Sequence, residues 1–218
     1  MMSLMDEFGL DETLSDEEMM TAAGVLKSLE EAWLNEKLSP EILPHKIEQV
    51  DCMMEQIHHM EENLKKLDKN DFRVGLHKLE LDRIRYLITS YLRTRIDKIE
   101  TFTLKILEDE HLREPSERYL SQGEIAFAKE YISNMNTHFK SLFAGMPESL
   151  QDLHTNQIMI KPNLESHLFV KARGSVQGVI VDDGENREEE VSLDENSQHI
   201  LPYNAIAQFV KNGRVQLL

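Results

Sequence analysis

The sequence has little cysteine and no long apolar stretch. Cys52 is the only cysteine among 218 residues, so an intrachain disulfide is excluded and a reducing compartment is favoured over secretion. No run reaches the roughly 18 apolar residues that a membrane-spanning helix needs. The Met-rich start is acidic rather than basic, unlike a signal peptide. We therefore expect a protein of the cytoplasm or nucleus that contacts no membrane.

Basic residues are outnumbered by acidic ones. The 24 Lys and Arg residues stand against 40 Asp and Glu residues, which gives a formal net charge of −16. A surface of this sign repels phosphate backbones at long range. We expect no autonomous nucleic-acid binding, although a local basic patch or a groove shared with a partner would still permit a contact.

The first twenty residues are acidic and contain too few apolar residues to build a core. This composition predicts a flexible acidic tail over residues 1–20. The alternative is a short segment that folds on contact with a partner. Its contacting residues would be Leu4, Met5, Phe8 and Leu10.

Four helices are predicted between residues 21 and 150, because apolar residues recur there at three- and four-residue spacing. They cover residues 22–36, 39–67, 71–110 and 121–145. The second is expected to begin with Ser39 as its cap, and the fourth with a capping box. The third, about 39 residues and about 58 Å long, would extend beyond its own domain. Another subunit or the second domain would then cover the excess.

The pattern changes to short strands after Pro162. Strands are predicted at 167–173, 178–181, 190–193, 198–203 and 215–218, with a short helix at 204–211. The sequence therefore predicts a mainly α N-terminal helical bundle over 21–150, a linker over 151–164 and a small β-rich α+β domain over 165–218. A domain of this size is marginal alone, so we expect it to need a docking partner.

Two Glu-x-x-His spacings raise the possibility of a di-iron bundle, because such proteins use this spacing. The pairs are Glu55 with His58 and Glu108 with His111. On a helical wheel, however, Glu55 and His58 point away from the apolar face. No nucleophile elbow, phosphate-binding loop or dinucleotide fingerprint is present either. We expect no enzyme activity, no cofactor and no metal.

One stripe of the third helix mixes apolar and polar residues. The apolar members are Ile84, Ile88, Tyr91, Phe102 and Ile106, and the polar members are His77, Glu80, Arg95 and Lys98. Three interpretations remain open for the polar members. They extend past the edge of the core, form salt bridges to another subunit, or contact DNA.

Several blocks in register resemble a known family, the Sld-five-type subunit of the eukaryotic GINS complex. The blocks are 32–37 (AWLNEK), 40–43 (PEIL), 60–64 (MEENL), 80–86 (ELDRIRY), 90–93 (SYLR), 95–100 (RIDKIE), 124–128 (EIAFA), 197–199 (SQH) and 213–218 (GRVQLL). Together they reach from Ala32 to Leu218.

The resemblance implies a helical A domain followed by a small B domain, in a non-catalytic subunit. It implies a heterotetramer with three Psf-type subunits, which joins the MCM ring and a RecJ-like co-activator in the active replicative helicase. It also implies links to replicative polymerases or replisome hub proteins, in the nucleus, on chromatin at replication forks. The candidate subunit-interface residues are Trp33, Arg83, Tyr86, Tyr91, Arg95, Phe102, Val215, Leu217 and Leu218. The last three form a strand that we expect to secure the B domain.

Overall fold

The structure is a computed structural model that describes residues 21–67, 71–147, 159–182 and 188–218. The predicted acidic tail at 1–20 and residues 151–158 of the predicted linker lie outside the described residues. None of the described helices combines the length and apolar character that crossing a membrane requires.

All four predicted helices are present. They are α1 (Ala22–Leu38), α2 (Ile47–Lys65), α3 (Phe72–Leu112) and α4 (Gln122–Phe143), and a short 3₁₀ helix covers Pro115–Glu117. The predicted capping box of α4 is confirmed. Ser121 Oγ accepts from the Glu124 backbone N–H at 3.3 Å, and Glu124 Oε2 accepts from the Ser121 N–H at 2.8 Å. Two N–H groups that the helix itself leaves unpaired are thereby satisfied.

The predicted start of α2 at Ser39 is wrong, because this helix begins at Ile47. Pro44 explains the difference, since a proline disfavours the helical conformation of the residue before it and removes one N–H. Ser39 has another role, since its hydroxyl donates to the Glu41 carbonyl at 2.9 Å. The chain between α1 and α2 is therefore an irregular connection.

The third helix is kinked at Phe102, whose backbone angles are φ −114° and ψ 23°. The next residue, Thr103, donates its hydroxyl back to the Ile99 carbonyl at 2.5 Å and to the Glu100 carbonyl at 3.0 Å. Such back-bonding by threonine is a known cause of helix bending. The sequence predicted the extent of this helix but not its kink.

The C-terminal region contains two small antiparallel sheets and one helix. The strands are β1 (His167–Ala172), β2 (Val176–Asp182), β3 (Glu188–Leu193), β4 (Gln198–Pro202) and β5 (Val215–Leu217), and the helix is α5 (Tyr203–Lys211). One sheet has the order β4-β1-β5, and β2 pairs with β3 in the other. This α+β arrangement after a helical bundle confirms the predicted fold class.

The contacts divide the chain into two compact units. The first comprises Met1–Trp33 and Lys46–Ser90, and the second comprises Leu34–His45 and Tyr91–Leu218. In the described part of the first unit, α1, α2 and α3 bury Leu29, Met53 and Ile84. This division differs from the predicted domain boundaries at residues 150 and 165, which stay a prediction.

The second unit has two apolar clusters. One lies under the sheets and α5, and Leu43 from the connection between α1 and α2 belongs to it. The other joins Ile42 to buried residues of α3 and α4, including Ile99 and Ala128. Neighbouring residues of one irregular segment thus enter both clusters.

Candidate functional site

The most elaborate polar site of the second unit is built around Arg95 of α3, whose side chain is 1% exposed. A guanidinium group has five N–H donors, and here each has an acceptor. Nε and Nη2 donate to the two oxygens of Glu124 at 2.7 and 3.1 Å. Nη1 donates to Glu36 Oε2 at 3.0 Å and to the Leu43 carbonyl at 2.7 Å. The remaining donor of Nη2 binds the Tyr119 carbonyl at 2.8 Å.

Lys98 lies one helical turn beyond Arg95 and binds the same region. Its Nζ donates to Glu36 Oε1 at 2.9 Å, to Ser39 Oγ at 2.8 Å and to the Glu41 carbonyl at 2.8 Å, and it also contacts the Glu36 carbonyl. These acceptors come from the end of α1 and from the irregular connection after it. Lys98 therefore holds the backbone where α1 ends and the irregular connection begins.

The charges of this site are balanced. We define the Arg95 network as Arg95, Lys98, Glu36, Glu41 and Glu124, together with Lys211, whose Nζ lies 2.7 Å from Glu41 Oε1. It contains three cations and three carboxylates. Burial of this many charges is tolerated only when each has a partner.

The pKa values report the same competition between burial and pairing. Burial acts to lower the pKa of Arg95, but the hydrogen bond to Glu124 and the charge of Glu36 leave it above its ordinary value. Burial lowers the pKa of Lys98, against the opposing effect of Glu36. Burial acts to raise the pKa of Glu124, but the hydrogen bond and charge of Arg95 leave it lowered. Pairing thus keeps Arg95 and Glu124 charged inside the protein.

The C-terminal region is attached to the same segment. Glu41 Oε1 accepts from the Tyr203 hydroxyl at 2.9 Å, and Asn35 Oδ1 accepts from the Leu217 backbone N–H at 2.9 Å. Burial and the negative charge of Glu41 raise the pKa of Tyr203, so this hydroxyl remains a donor. Residues 34–43 therefore hold α3 and α4 on one side and α5 and β5 on the other.

A second carboxylate fixes the connection between α3 and α4. Glu110, which is buried, accepts from Arg113 Nη1 at 2.6 Å and from the Tyr119 N–H at 3.0 Å. The Arg113 guanidinium lies 3.7 Å from the centroid of the Tyr119 ring, a cation–π geometry. Tyr119 is thereby held where its carbonyl accepts from Arg95.

The di-iron pairs lie elsewhere. The predicted exposure of Glu55 and His58 is confirmed, and His58 Nε2 lies 3.4 Å from Glu62 Oε1. Glu108 and His111 are exposed near the end of α3. Within the described ranges, no three His, Cys, Asp or Glu side chains come together as a metal site would require.

The nine candidate interface residues fall into different environments. Tyr91, Arg95, Val215 and Leu217 are buried, and Trp33 and Phe102 are partly buried. Arg83, Tyr86 and Leu218 are exposed. β5 pairs with β1 and buries Val215 and Leu217, whereas Leu218 lies beyond the end of this strand and is exposed. The securing role of the terminal strand stays a prediction.

None of the three interpretations of the polar stripe describes Arg95, which is neither at the edge of the core nor at the surface. Its carboxylate partners lie 59 and 29 residues away in the sequence. Glu36, Glu41 and Glu124 were not predicted from the sequence as members of this site. The sequence did contain a signal for these carboxylates, since Arg95 and Lys98 lie on an otherwise apolar face of α3. Cations buried on such a face require internal carboxylates as partners.

An exposed apolar row also lies on the first half of α3. Its members, Phe72, Leu76, Leu79 and Tyr86, are all exposed and share one face because they are separated by three, four or seven residues. We call them the α3 stripe. The buried residues Leu81, Ile84 and Ile88 lie on the opposite face. Only Tyr86 was among the candidates from the sequence.

Comparison with known proteins gives the family. A family model described as the GINS complex protein helical bundle domain matches residues 49–143, and one described as the DNA replication complex GINS protein SLD5 C-terminus matches residues 162–218. The rat protein named DNA replication complex GINS protein SLD5 is 43% identical over 210 residues, covering 94% of this chain and 93% of its own length. The chain belongs to the SLD5 family of GINS proteins.

Other SLD5 proteins extend the comparison. The mouse protein of the same name is 42% identical over 225 residues and covers 100% of both chains. The Dictyostelium discoideum protein is 30% identical over 199 residues, with 89% of this chain and 92% of its own length covered. As an SLD5 protein, this chain is a GINS subunit that serves DNA replication.

Proposed function

We propose that this SLD5-family chain is a non-catalytic structural subunit of a GINS heterotetramer formed with three Psf-type subunits. The tetramer joins the MCM ring and a RecJ-like co-activator in the active replicative helicase. It links that helicase to replicative polymerases or replisome hub proteins. The work is done in the nucleus, on chromatin at replication forks.

The α3 stripe is the observation that carries the proposal. Four large apolar side chains are exposed along one helix face, on which the ion-paired Arg83 lies between Leu79 and Tyr86. Monomeric soluble proteins seldom expose large apolar patches. Long helices packed side by side are the arrangement that the family resemblance implies. The stripe therefore supports a helix-to-helix interface with another subunit.

The chemistry of the Arg95 network supports a structural role. Its guanidinium donors are all bound to acceptors of the same chain, and its charges are paired with each other. A general acid or base must reach a substrate atom, usually within about 3 Å. Groups engaged in this way serve to position α1, α3, α4 and the C-terminal region.

Co-expression with the three Psf-type subunits tests the proposal. Light scattering after size exclusion is expected to give a one-to-one-to-one-to-one tetramer. Leu79→Glu places a charge in the middle of the α3 stripe and is expected to reduce recovery of the tetramer at least ten-fold. Thr89→Glu adds the same charge at another exposed position of α3 and is expected to leave recovery unchanged.

Two results would overturn the proposal. One is a stable monomer that ignores the Psf-type subunits. The other is equal recovery of tetramer from Leu79→Glu and Thr89→Glu when circular dichroism shows both chains folded. Metal analysis of the purified protein separately tests the di-iron alternative, for which stoichiometric iron would be required.

A further inference from the structure

The outer face of the three-stranded sheet carries an exposed apolar row. Phe169 of β1 pairs with Ile200 of β4, and on its other side the Leu218 N–H donates to the Phe169 carbonyl at 2.9 Å. The three residues are 61%, 57% and 47% exposed. Directly opposite residues of an antiparallel pair share a face, so these side chains form one row about 10 Å long.

Two cations lie on the same face, on one side of the apolar row. Side chains alternate along a strand, so Lys171 lies on the face about 7 Å beyond Phe169. Arg214 follows one step further along, where its carbonyl accepts from the Arg173 N–H at 2.9 Å. Among the residues that the structure describes, neither Lys171 nor Arg214 forms an ion pair.

The positive charge of this face runs against the composition of the region. Residues 162–218 contain nine Asp and Glu residues and five Lys and Arg residues. No carboxylate side chain stands at the other paired positions of the face, which are His167, Gln198, Pro202 and Gln216. We call the apolar row together with Lys171 and Arg214 the basic sheet face.

Two kinds of occupant fit this face poorly. A second copy docked on it by a two-fold axis would bring Lys171 and Arg214 close to their own counterparts, and like charges across an interface are unfavourable. Single-stranded nucleic acids bind by stacking bases on aromatic rings, but Phe169 is the one ring of the row, and the chain has a net charge of −16. The face instead requires apolar side chains beside negative charges.

We propose that the basic sheet face docks an acidic, apolar segment of another protein. Leucine- or phenylalanine-like side chains of that segment cover the row of Phe169, Ile200 and Leu218, and carboxylates about 7 Å away pair with Lys171 and Arg214. Burial of the row supplies affinity, and the charge pairs select the partner and fix its register. The contact does not depend on the proposed tetramer, because every residue of the face belongs to this chain.

Fluorescence anisotropy with the full-length chain tests this contact. The probe is a labelled synthetic peptide of Leu, Phe, Asp and Glu, with carboxylates two and four residues from each apolar residue. The two groups then share a face in an extended or a helical conformation. One control peptide has Asn and Gln in place of the acidic residues, and another has Ser in place of the apolar ones. The probe is expected to bind about ten-fold more tightly than either control.

A matched pair of apolar variants locates the site. Ile200→Thr shortens the apolar row, whereas Ile180→Thr makes the same change on β2 at a residue with the same exposure of 57%. We expect the first to weaken probe binding about ten-fold and the second to leave it unchanged. Circular dichroism and the melting temperature establish that both variants are folded.

A matched pair of charge reversals tests the cations. Lys171→Glu with Arg214→Glu is expected to weaken probe binding by about ten-fold or more. Lys129→Glu with Lys140→Glu makes the same change in net charge at exposed positions of α4. This control should leave binding nearly unchanged in about 0.15 M salt, where the screening length is about 8 Å.

Several results would overturn the proposal. Equal binding of the probe and the neutral control peptide would remove the role of charge. Equal effects of Ile200→Thr and Ile180→Thr, or of the two charge reversals, would place the probe elsewhere. A single-stranded oligonucleotide whose binding is lost on reversing Lys171 and Arg214 would make the face a nucleic-acid site. A dimer in light scattering that Ile200→Thr dissociates would make the occupant a second copy.

Discussion

Replacing Arg95 with methionine is expected to destabilise the second unit strongly. Methionine retains much of the volume of the arginine stem but removes its charge and all five donors. Glu36, which is 1% exposed, would then keep Lys98 but lose Arg95. Glu124 would lose two hydrogen bonds, and the carbonyls of Leu43 and Tyr119 would lose one each.

The magnitude follows from these losses. Removing one member of a buried ion pair typically costs about 3–5 kcal/mol, because the other charge is left buried. We expect the free energy of unfolding to fall by about 4 kcal/mol. Arg95→Lys keeps the charge but supplies three donors instead of five, and we expect it to cost about 2 kcal/mol.

Urea unfolding followed by far-UV circular dichroism measures the effect. Arg83→Met is the matched control, because Arg83 pairs with Glu30 and Glu80 while 47% exposed. Surface pairs contribute about 0–1 kcal/mol, so this variant should unfold almost as the parent does. Hydrogen exchange should localise the Arg95→Met effect to residues 34–45 and 119–128.

A compensating variant makes the test sharper. Adding Glu124→Gln to Arg95→Met removes the one carboxylate left in excess, because Glu36 keeps Lys98 and Glu41 keeps Lys211, and it should restore about 1–2 kcal/mol. An Arg95→Met variant no more destabilised than Arg83→Met would refute this expectation. So would a double variant that is less stable than Arg95→Met alone.

Three further predictions concern neighbouring residues. Leu43→Ala should lower the free energy of unfolding by about 2–5 kcal/mol, because it opens a cavity in the cluster under the C-terminal sheets; a urea titration measures this. The pKa of Glu124 lies below its ordinary value of 4.5, so its stabilisation is present above that value and lost as pH falls through the lower folded pKa. The stability difference between the parent and Glu124→Gln should therefore shrink on acidification, and a difference independent of pH would contradict this. Deleting residues 215–218 should weaken assembly with the Psf-type subunits, since it removes a buried strand; unchanged co-purification would contradict it.

Much of the fold could be predicted because its signals are local. Apolar spacing located four helices, the Ser121 to Glu124 spacing located a capping box, and alternating segments located the strands. The start of α2 was predicted wrongly because Ser39 and Pro40 are suitable for a helix start, whereas Pro44 interrupts the helix that they would begin. The kink at Phe102 is flanked by Thr101 and Thr103, whose hydroxyls donate to backbone carbonyls of the preceding turn, and no periodicity contains such bonds.

The candidate site could be predicted only in part because its partners are distant in sequence. The wheel placed Arg95 and Lys98 on the core face of α3, which was correct, but spacing alone does not say which carboxylates approach them. Glu124 was recognised as a capping residue, and its second role toward Arg95 appears only in three dimensions. Tyr91, another candidate from the sequence, lies on the same face of α3 as Arg95, and its side chain is buried.

The bond between Asn35 and Leu217 also sets a time scale for biosynthesis. The two residues are 182 positions apart, and a ribosome adds about 5–20 residues per second. Asn35 must therefore wait about 9–36 s before Leu217 has been made. Leu43 likewise waits for the other buried residues of its cluster, which begin at Val170. Until those residues have been made, a chaperone that binds apolar segments has its best opportunity at Leu43.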